Sequence, residues 1–339
     1  SFDRELVIDA VLNGTRTPAY GAWPPSIAGA RDNVCDNWSY SPDEAKALWD
    51  GAGGWTQDEF IVWFNSGSNH DQIADAVVTQ WSENLGLDRN IVKFEQLEFS
   101  EYLPLIDEQG LSGLFRLGWG QDYPSPLNFL EPLYASYNFA PVGSNSTFYD
   151  NPEFDDLLAQ GKAAIAATGA LADGIPFYQQ AEDLLCRDVT ITPVYFGKNI
   201  FVWSPNVDNV TVDAFSDINY TTIQGGDVST FIIEPEHLQP LTSNESEGIA
   251  VMRAIFAPLV QFDPFTGESF NMMAESITSE DGGKNWTIVL KDGWTFHDGT
   301  PVTAEHYVRA WSYGADGANG QQNNSFYRNF VGYAELNPE

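Results

Sequence analysis

Phe60-Ile61-Val62-Trp63-Phe64, then Asn65-Ser66-Gly67-Ser68-Asn69-His70, then Asp71 to Leu85, is the stretch that decides the fold. The first five residues are all β-branched or aromatic, as a short buried strand requires. The next six are mostly small and polar, and form a loop. From Asp71 on, Ile73, Val77, Trp81 and Leu85 recur at helical spacing. Ile91-Val92-Lys93-Phe94 reads as the next strand, and Ser100-Glu101-Tyr102 begins the next helix. Leu114-Phe115-Arg116-Leu117 is a third strand. Strand, helix, strand, helix, strand predicts a βαβ-type α/β domain. In open sheets of this kind ligands sit beyond the carboxyl ends of the strands, so the loops after Phe64 and Leu117 are the first candidate places.

Upstream, a helix opens at Phe2-Asp3-Arg4-Glu5 and stops at Gly14, and Pro24-Pro25-Ser26 forces an extended loop. A second helix starts at Ser41-Pro42, with Ser41 as N-cap, and ends at Gly51. Downstream, residues 128–187 read as helices and loops. Residues 189–223 read as strands, at Val194-Tyr195-Phe196, Ile200-Phe201-Val202-Trp203 and Val210-Thr211-Val212. Gln224-Gly225-Gly226 reads as a flexible joint. A strand at Val228–Ile233, a helix near Glu247–Phe256, a strand at Trp286–Leu290 and a helix at Ala304–Tyr313 complete the chain.

The bulk composition narrows the function classes. The 339 residues are 43% hydrophobic, enough for a large core. Lys and Arg number 15 against 48 Asp and Glu, a formal net charge of −33. Such a surface repels nucleic acid and anionic lipid. Charged residues are 19% and Trp number 11, so the acidity is that of a folded protein. The two cysteines, Cys35 and Cys186, read either as a disulfide or as two separate buried thiols. No metal-ligand cluster stands out among four His, and no apolar run of 18 residues occurs.

Two stretches carry a resemblance. The first runs from Ala274-Glu275-Ser276-Ile277 through Trp286-Thr287-Ile288-Val289-Leu290-Lys291-Asp292-Gly293-Trp294-Thr295-Phe296-His297-Asp298-Gly299-Thr300-Pro301-Val302-Thr303-Ala304. It reads as a strand, an Asp-Gly turn shaped by His297 and Asp298, and a helix begun by Thr303. The second is Arg116-Leu117-Gly118-Trp119-Gly120-Gln121-Asp122-Tyr123-Pro124-Ser125-Pro126, joined by Phe64-Asn65-Ser66 and His70. Both resemble the peptide-binding family of extracellular solute-binding proteins, the oligopeptide and dipeptide binders of ABC importers. In that family the block from about Gly226 to Pro338 comes first and the block from Ser1 to about Ile223 comes last. The resemblance therefore implies a permuted order with a central segment missing. It implies an α/β, two-lobed periplasmic-binding-protein-like fold (type II, cluster C) with a hinge and an interlobe ligand cleft. Residues 1–190 would form a peptide-binding lobe, 191–260 the strands of a central or hinge lobe, and 261–339 part of a further lobe. The implied partners are a short peptide and ABC permease subunits. The protein would be a monomer without cofactor, exported and cell-surface-anchored or periplasmic, and not an enzyme.

The site residues follow from what a free peptide offers, an ammonium at one end and a carboxylate at the other. Asp122, just past a strand end, matches the family's ammonium-binding Asp; a turn or cap role is the alternative. Arg116 suits a carboxylate through its bidentate fork, or else a structural ion pair. His70 matches a family His near the ligand's carboxyl end, and Asn65 suits the peptide backbone. Trp119 and Phe99 would wall a side-chain pocket or belong to the core. Glu234, in the stretch resembling the family's opening strand, borders the cleft. An oligosaccharide-binding member of the same superfamily is the nearest rival, since 11 Trp offer stacking faces. A glycosidase would need a carboxylate pair across a cleft. A serine hydrolase would need a Gly-x-Ser-x-Gly elbow, which the sequence lacks. An incomplete permutant without binding competence is the remaining alternative.

Overall fold

A computed structural model describes residues 2–212, 218–220, 222–226, 235, 237–243, 245–263, 268–281 and 283–338. Two compact units result: Ser1–Trp119 with Ser125–Lys162 and Leu171–Lys198, and Gly120–Pro124 with Ala163–Ala170 and Asn199–Glu339.

The first unit begins with helix α1 (Arg4–Leu12), the short strand β1 (Thr17–Pro18) and helix α2 (Pro42–Gly51). Strand β2 (Phe60–Asn65) leads into α3 (His70–Leu85), then β3 (Val92–Leu97), α4 (Phe99–Asp107) and β4 (Leu114–Phe115). The three strands form one parallel sheet in the order β3-β2-β4. Phe60 pairs with Val92 at one end of β2, and Trp63 pairs with Phe115 near the other. This is the expected βαβ arrangement, although β4 is shorter than Leu114–Leu117. Gly113 explains how β4 gets close enough to pair. Its φ is +105°, and a Cβ there would stand 2.4 Å from the Ile61 carbonyl oxygen.

Helix α3 joins two apolar clusters. Ile73 and Val77 pack with Phe2, Val7, Ile8 and Leu12 of the N-terminal segment. Val78 packs with Phe60 at the start of β2 and with Leu87. The every-fourth-residue spacing thus anchors the helix between α1 and the sheet. Helices α5 (Leu127–Tyr134), α6 (Pro152–Thr168) and α7 (Ile175–Arg187) follow, and β5 (Tyr195–Phe196) pairs antiparallel with β1.

Helix α7 is tied to the N-terminal loops by polar contacts. Glu182, 1% exposed, accepts from the Ala22 amide at 2.7 Å and from the Arg31 guanidinium at 2.7 and 3.1 Å. The structure pairs Cys186 of α7 with Cys35, their Cα atoms 6.5 Å apart, inside the reach of a disulfide. Asn37 Nδ2 donates to the Cys186 carbonyl at 3.1 Å, and Trp38 Nε1 to Ile191 at 3.0 Å.

The second unit contains α8 (Ser246–Ile255), the hairpin of β6 (Val260–Phe262) and β7 (Ser269–Asn271), and the hairpin of β8 (Ala274–Thr278) and β9 (Thr287–Leu290). Helices α9 (Ala304–Ala315) and α10 (Tyr333–Leu336) close it. Thr303 begins α9 as expected, its amide donating to His306 Nδ1 at 3.1 Å.

The strand-rich reading of 189–223 needs correction. Ile200–Trp203 forms no strand, and Ile200, Val202 and Trp203 are 69%, 94% and 51% exposed. A β-branched run becomes a strand only beside a partner, and none stands there among the described residues. Val212 makes a single bridge to Ile218. The expected joint at Gln224 is likewise tied down, with Gln224 and Asp208 exchanging backbone hydrogen bonds at 2.8 and 2.9 Å. The expected strand at Val228–Ile233 lies outside the described residues.

Candidate functional site

The carboxyl ends of β2 and β4 lie side by side because β2 is central and Trp63 is in register with Phe115. Asn65 closes β2, and Arg116 is the first residue beyond β4. Between β2 and α3 the chain turns through Gly67, Ser68 and Asn69, with φ of +87°, +51° and +60°. Two consecutive non-glycine residues in the left-handed region mark a loop held by its surroundings. This turn carries His70 back towards the strand end, where its Nδ1 lies 3.0 Å from the Asn65 carbonyl.

Arg116, Asn65 and His70 therefore meet. Arg116 Nη1 donates to Asn65 Oδ1 at 3.2 Å. Gly118 leaves room for the guanidinium, since a Cβ there would be 3.3 Å from Arg116 Nη2. Arg116 is half-buried, and no carboxylate lies within ion-pair distance of it among the described residues. His70 is 5% exposed. A carbonyl can only accept, so Nδ1 carries the proton, and Nε2 is a buried acceptor without a partner among the described residues. Burial, and next the Arg116 charge, hold the imidazole below its ordinary value. Its neutral form thus supports the fold above about pH 6.5, and that support is lost as pH falls through the lowered value.

A residue that sequence reasoning treated only as helix joins this group. Tyr102 of α4 is 0% exposed. Its hydroxyl lies 2.7 Å from the Arg116 carbonyl, 3.0 Å from the Arg116 amide and 3.2 Å from the Trp63 carbonyl. Burial pushes the phenol up to about 12, so it keeps its proton. The available signal was a large polar-tipped aromatic one turn before Ile106 on the buried face of α4.

Trp119 is half-buried, with Nε1 3.4 Å from Oδ1 of the fully buried Asn128. Phe99 opens α4 and is 38% exposed. Asp122 is half-buried in the 120–124 segment, which groups with the second unit. Glu234 lies outside the described residues. Among the described residues no group of three His, Cys, Asp or Glu side chains is placed to hold a metal. No helix among them is long and apolar enough to cross a membrane.

Residues 1–141 and 270–337 match the family described as bacterial extracellular solute-binding proteins, family 5. The chain belongs to that family. It is similar to the periplasmic oligopeptide-binding protein OppA of Salmonella typhimurium, at 31% identity over 223 residues. That alignment covers 62% of this chain and 38% of OppA. The OppA of Bacillus subtilis is 28% identical over 228 residues, covering 65% and 40% of the two chains. Among solved structures, the murein tripeptide binding protein MppA of Escherichia coli superposes with a TM-score of 0.53 at 26% identity, over 62% of this chain and 40% of MppA. The chain thus spans about two fifths of the length of these relatives.

The first matched block of this family 5 chain contains Asn65, His70, Phe99, Arg116, Trp119 and Asp122. The second contains the hairpin that follows β9. There Asp298 Oδ1 accepts from the Thr300 amide at 2.9 Å, and Phe296 N donates to Thr300 O at 2.8 Å. The Thr300 amide bond holds the Asp298 carboxyl below its ordinary value. Asp298 thus shapes a turn, as its Asp-Gly sequence predicts.

Proposed function

We propose that this chain is the ligand-capturing part of an extracellular solute-binding component of an ABC importer, and that its ligand is a short peptide. The observation that carries the reading is Arg116. In a chain with 48 acidic residues, this half-buried guanidinium at the end of a parallel sheet bonds a neutral amide instead of a carboxylate. A peptide's terminal carboxylate supplies the missing anion, through the geometry that Arg recognises. His70 and Asn65 flank that carboxylate and the last peptide unit. Asp122 takes the ligand's ammonium, and Trp119 and Phe99 border side-chain space. The names of the OppA relatives, which bind oligopeptides, support the same ligand class.

The protein acts by binding and release, without a reaction of its own, and passes its ligand to permease subunits. It works as a monomer at the cell surface or in the periplasm, held there by a lipid anchor where no outer membrane retains it. Cys35 and Cys186 form a disulfide suited to that compartment. The lobes follow the division 1–190, 191–260 and 261–339, with the family's blocks exchanged and its central segment missing.

The ammonium role has its own test. Asp122→Asn should weaken binding of free-amine peptides by roughly tenfold to a hundredfold, the worth of a hydrogen bond to a charged group. N-acetylated peptides should bind the unaltered protein as poorly. Unchanged dissociation constants in both experiments would remove Asp122 from the site.

A further inference from the structure

Beyond the residues that face the ligand, the structure shows how Arg116 is held. Strand β4 pairs with β2 over only two residues, Leu114 with Val62 and Phe115 with Trp63. Arg116 lies past the last of these pairs. Its amide still reaches the Trp63 carbonyl at 3.0 Å, but among the described residues no backbone amide donates to its carbonyl. The Tyr102 hydroxyl does so, donating to Arg116 O at 2.7 Å while accepting from Arg116 N at 3.0 Å. One buried phenol therefore binds both backbone groups of the residue whose side chain reaches Asn65. We propose that Tyr102 is a positioning residue for Arg116, fixing its backbone so that the guanidinium is presented to the ligand's carboxylate. This inference rests on the carboxylate reading of Arg116.

The chemistry favours tyrosine at this position over phenylalanine of nearly equal volume. A fully buried hydroxyl must be satisfied, and here its partners are the backbone of Arg116 and the Trp63 carbonyl. Without it, the Arg116 amide keeps its bond to Trp63, whereas the carbonyl loses its protein partner. The ring remains to fill its place in the packing between α4 and the sheet. What is lost is the restraint on the first residue beyond β4, and with it the directed fork that a carboxylate requires.

The test uses the whole chain and an equimolar library of tri- to pentapeptides, made once with free C-termini and once C-amidated. Calorimetry gives the affinity ratio between the two libraries for the unaltered protein, Tyr102→Phe and Arg116→Ala. In Tyr102→Phe the preference for free carboxylates should fall about three- to tenfold, the weight of one ordinary hydrogen bond, with affinity for the amidated library unchanged. A folded Tyr102→Phe protein that keeps the full preference overturns the inference. Equal weakening towards both libraries also overturns it, because a merely structural role would act on both. If Tyr102→Phe does not fold, 3-fluorotyrosine at position 102 keeps ring and hydroxyl while altering the hydrogen bonds; an unchanged ratio there overturns the inference, and a changed ratio supports it. The unaltered protein failing to prefer free carboxylates, or Arg116→Ala retaining the preference, overturns the carboxylate reading and this inference with it. A preference abolished by Arg116→Ala and untouched by Tyr102→Phe overturns the Tyr102 role alone.

Discussion

Arg116→Ala should lower the affinity for peptides with a free C-terminus by roughly tenfold to a hundredfold, and should leave C-amidated peptides nearly unaffected. The size follows from charge-assisted hydrogen bonds, worth about 1.5–3 kcal/mol each. The selectivity follows from the partner that Arg116 lacks. Its side chain bonds Asn65 Oδ1 at 3.2 Å and meets no carboxylate among the described residues, so removing it breaks no internal ion pair. Thermal stability should therefore change little, which separates this variant from one that damages the sheet. Arg116→Lys should recover only part of the affinity, because a point charge lacks the planar fork. Equal affinities of Arg116→Ala and the unaltered protein for free-carboxylate peptides would show that the guanidinium plays another part.

Breaking the Cys35–Cys186 pair has the largest expected effect on stability. The two residues are separated by 151 positions. Cross-linking so long a loop restricts the unfolded chain by about 5 kcal/mol in the chain-entropy account. The bridge joins the loop before Trp38 to the last turn of α7, where Trp38 and Asn37 also bond the chain around Cys186 and Ile191. The double variant Cys35→Ser with Cys186→Ser should melt about 10 °C or more below the oxidised protein. Reduction of the unaltered protein should give the same shift, and the double variant should be insensitive to reductant. A melting temperature that ignores both reductant and the substitutions would mean the thiols are not bridged.

Much of the first unit was legible in the sequence because its signals are local. The Phe60–Phe64 run and the spacing of Ile73, Val77, Trp81 and Leu85 report burial on one strand and one helix face, and Leu114-Phe115 reports strand propensity. Their order placed Asn65 and His70 just past one strand and Arg116 within another, and the structure brings the three together. Tyr102 was not legible as part of that group, since its role depends on a hydroxyl reaching two strands across the helix–sheet packing. The failure at Ile200–Trp203 has the opposite cause. Its composition suits a strand, but a strand is completed by a neighbour, and sequence reports the propensity without the neighbour. Gln224-Gly225-Gly226 misled in the same way: two glycines suggest freedom, while the backbone bonds to Asp208 come from a residue 16 positions earlier.

The central claim is that this family 5 chain captures short peptides. Calorimetric titration of the intact chain with the tri- to pentapeptide library, and in parallel with cello-oligosaccharides, tests it most directly. The Arg116 site predicts saturable heat with the peptides and none with the sugars, which carry no carboxylate for a guanidinium to hold. Saturable heat with the sugars alone would contradict the peptide assignment and leave Arg116 without its proposed partner.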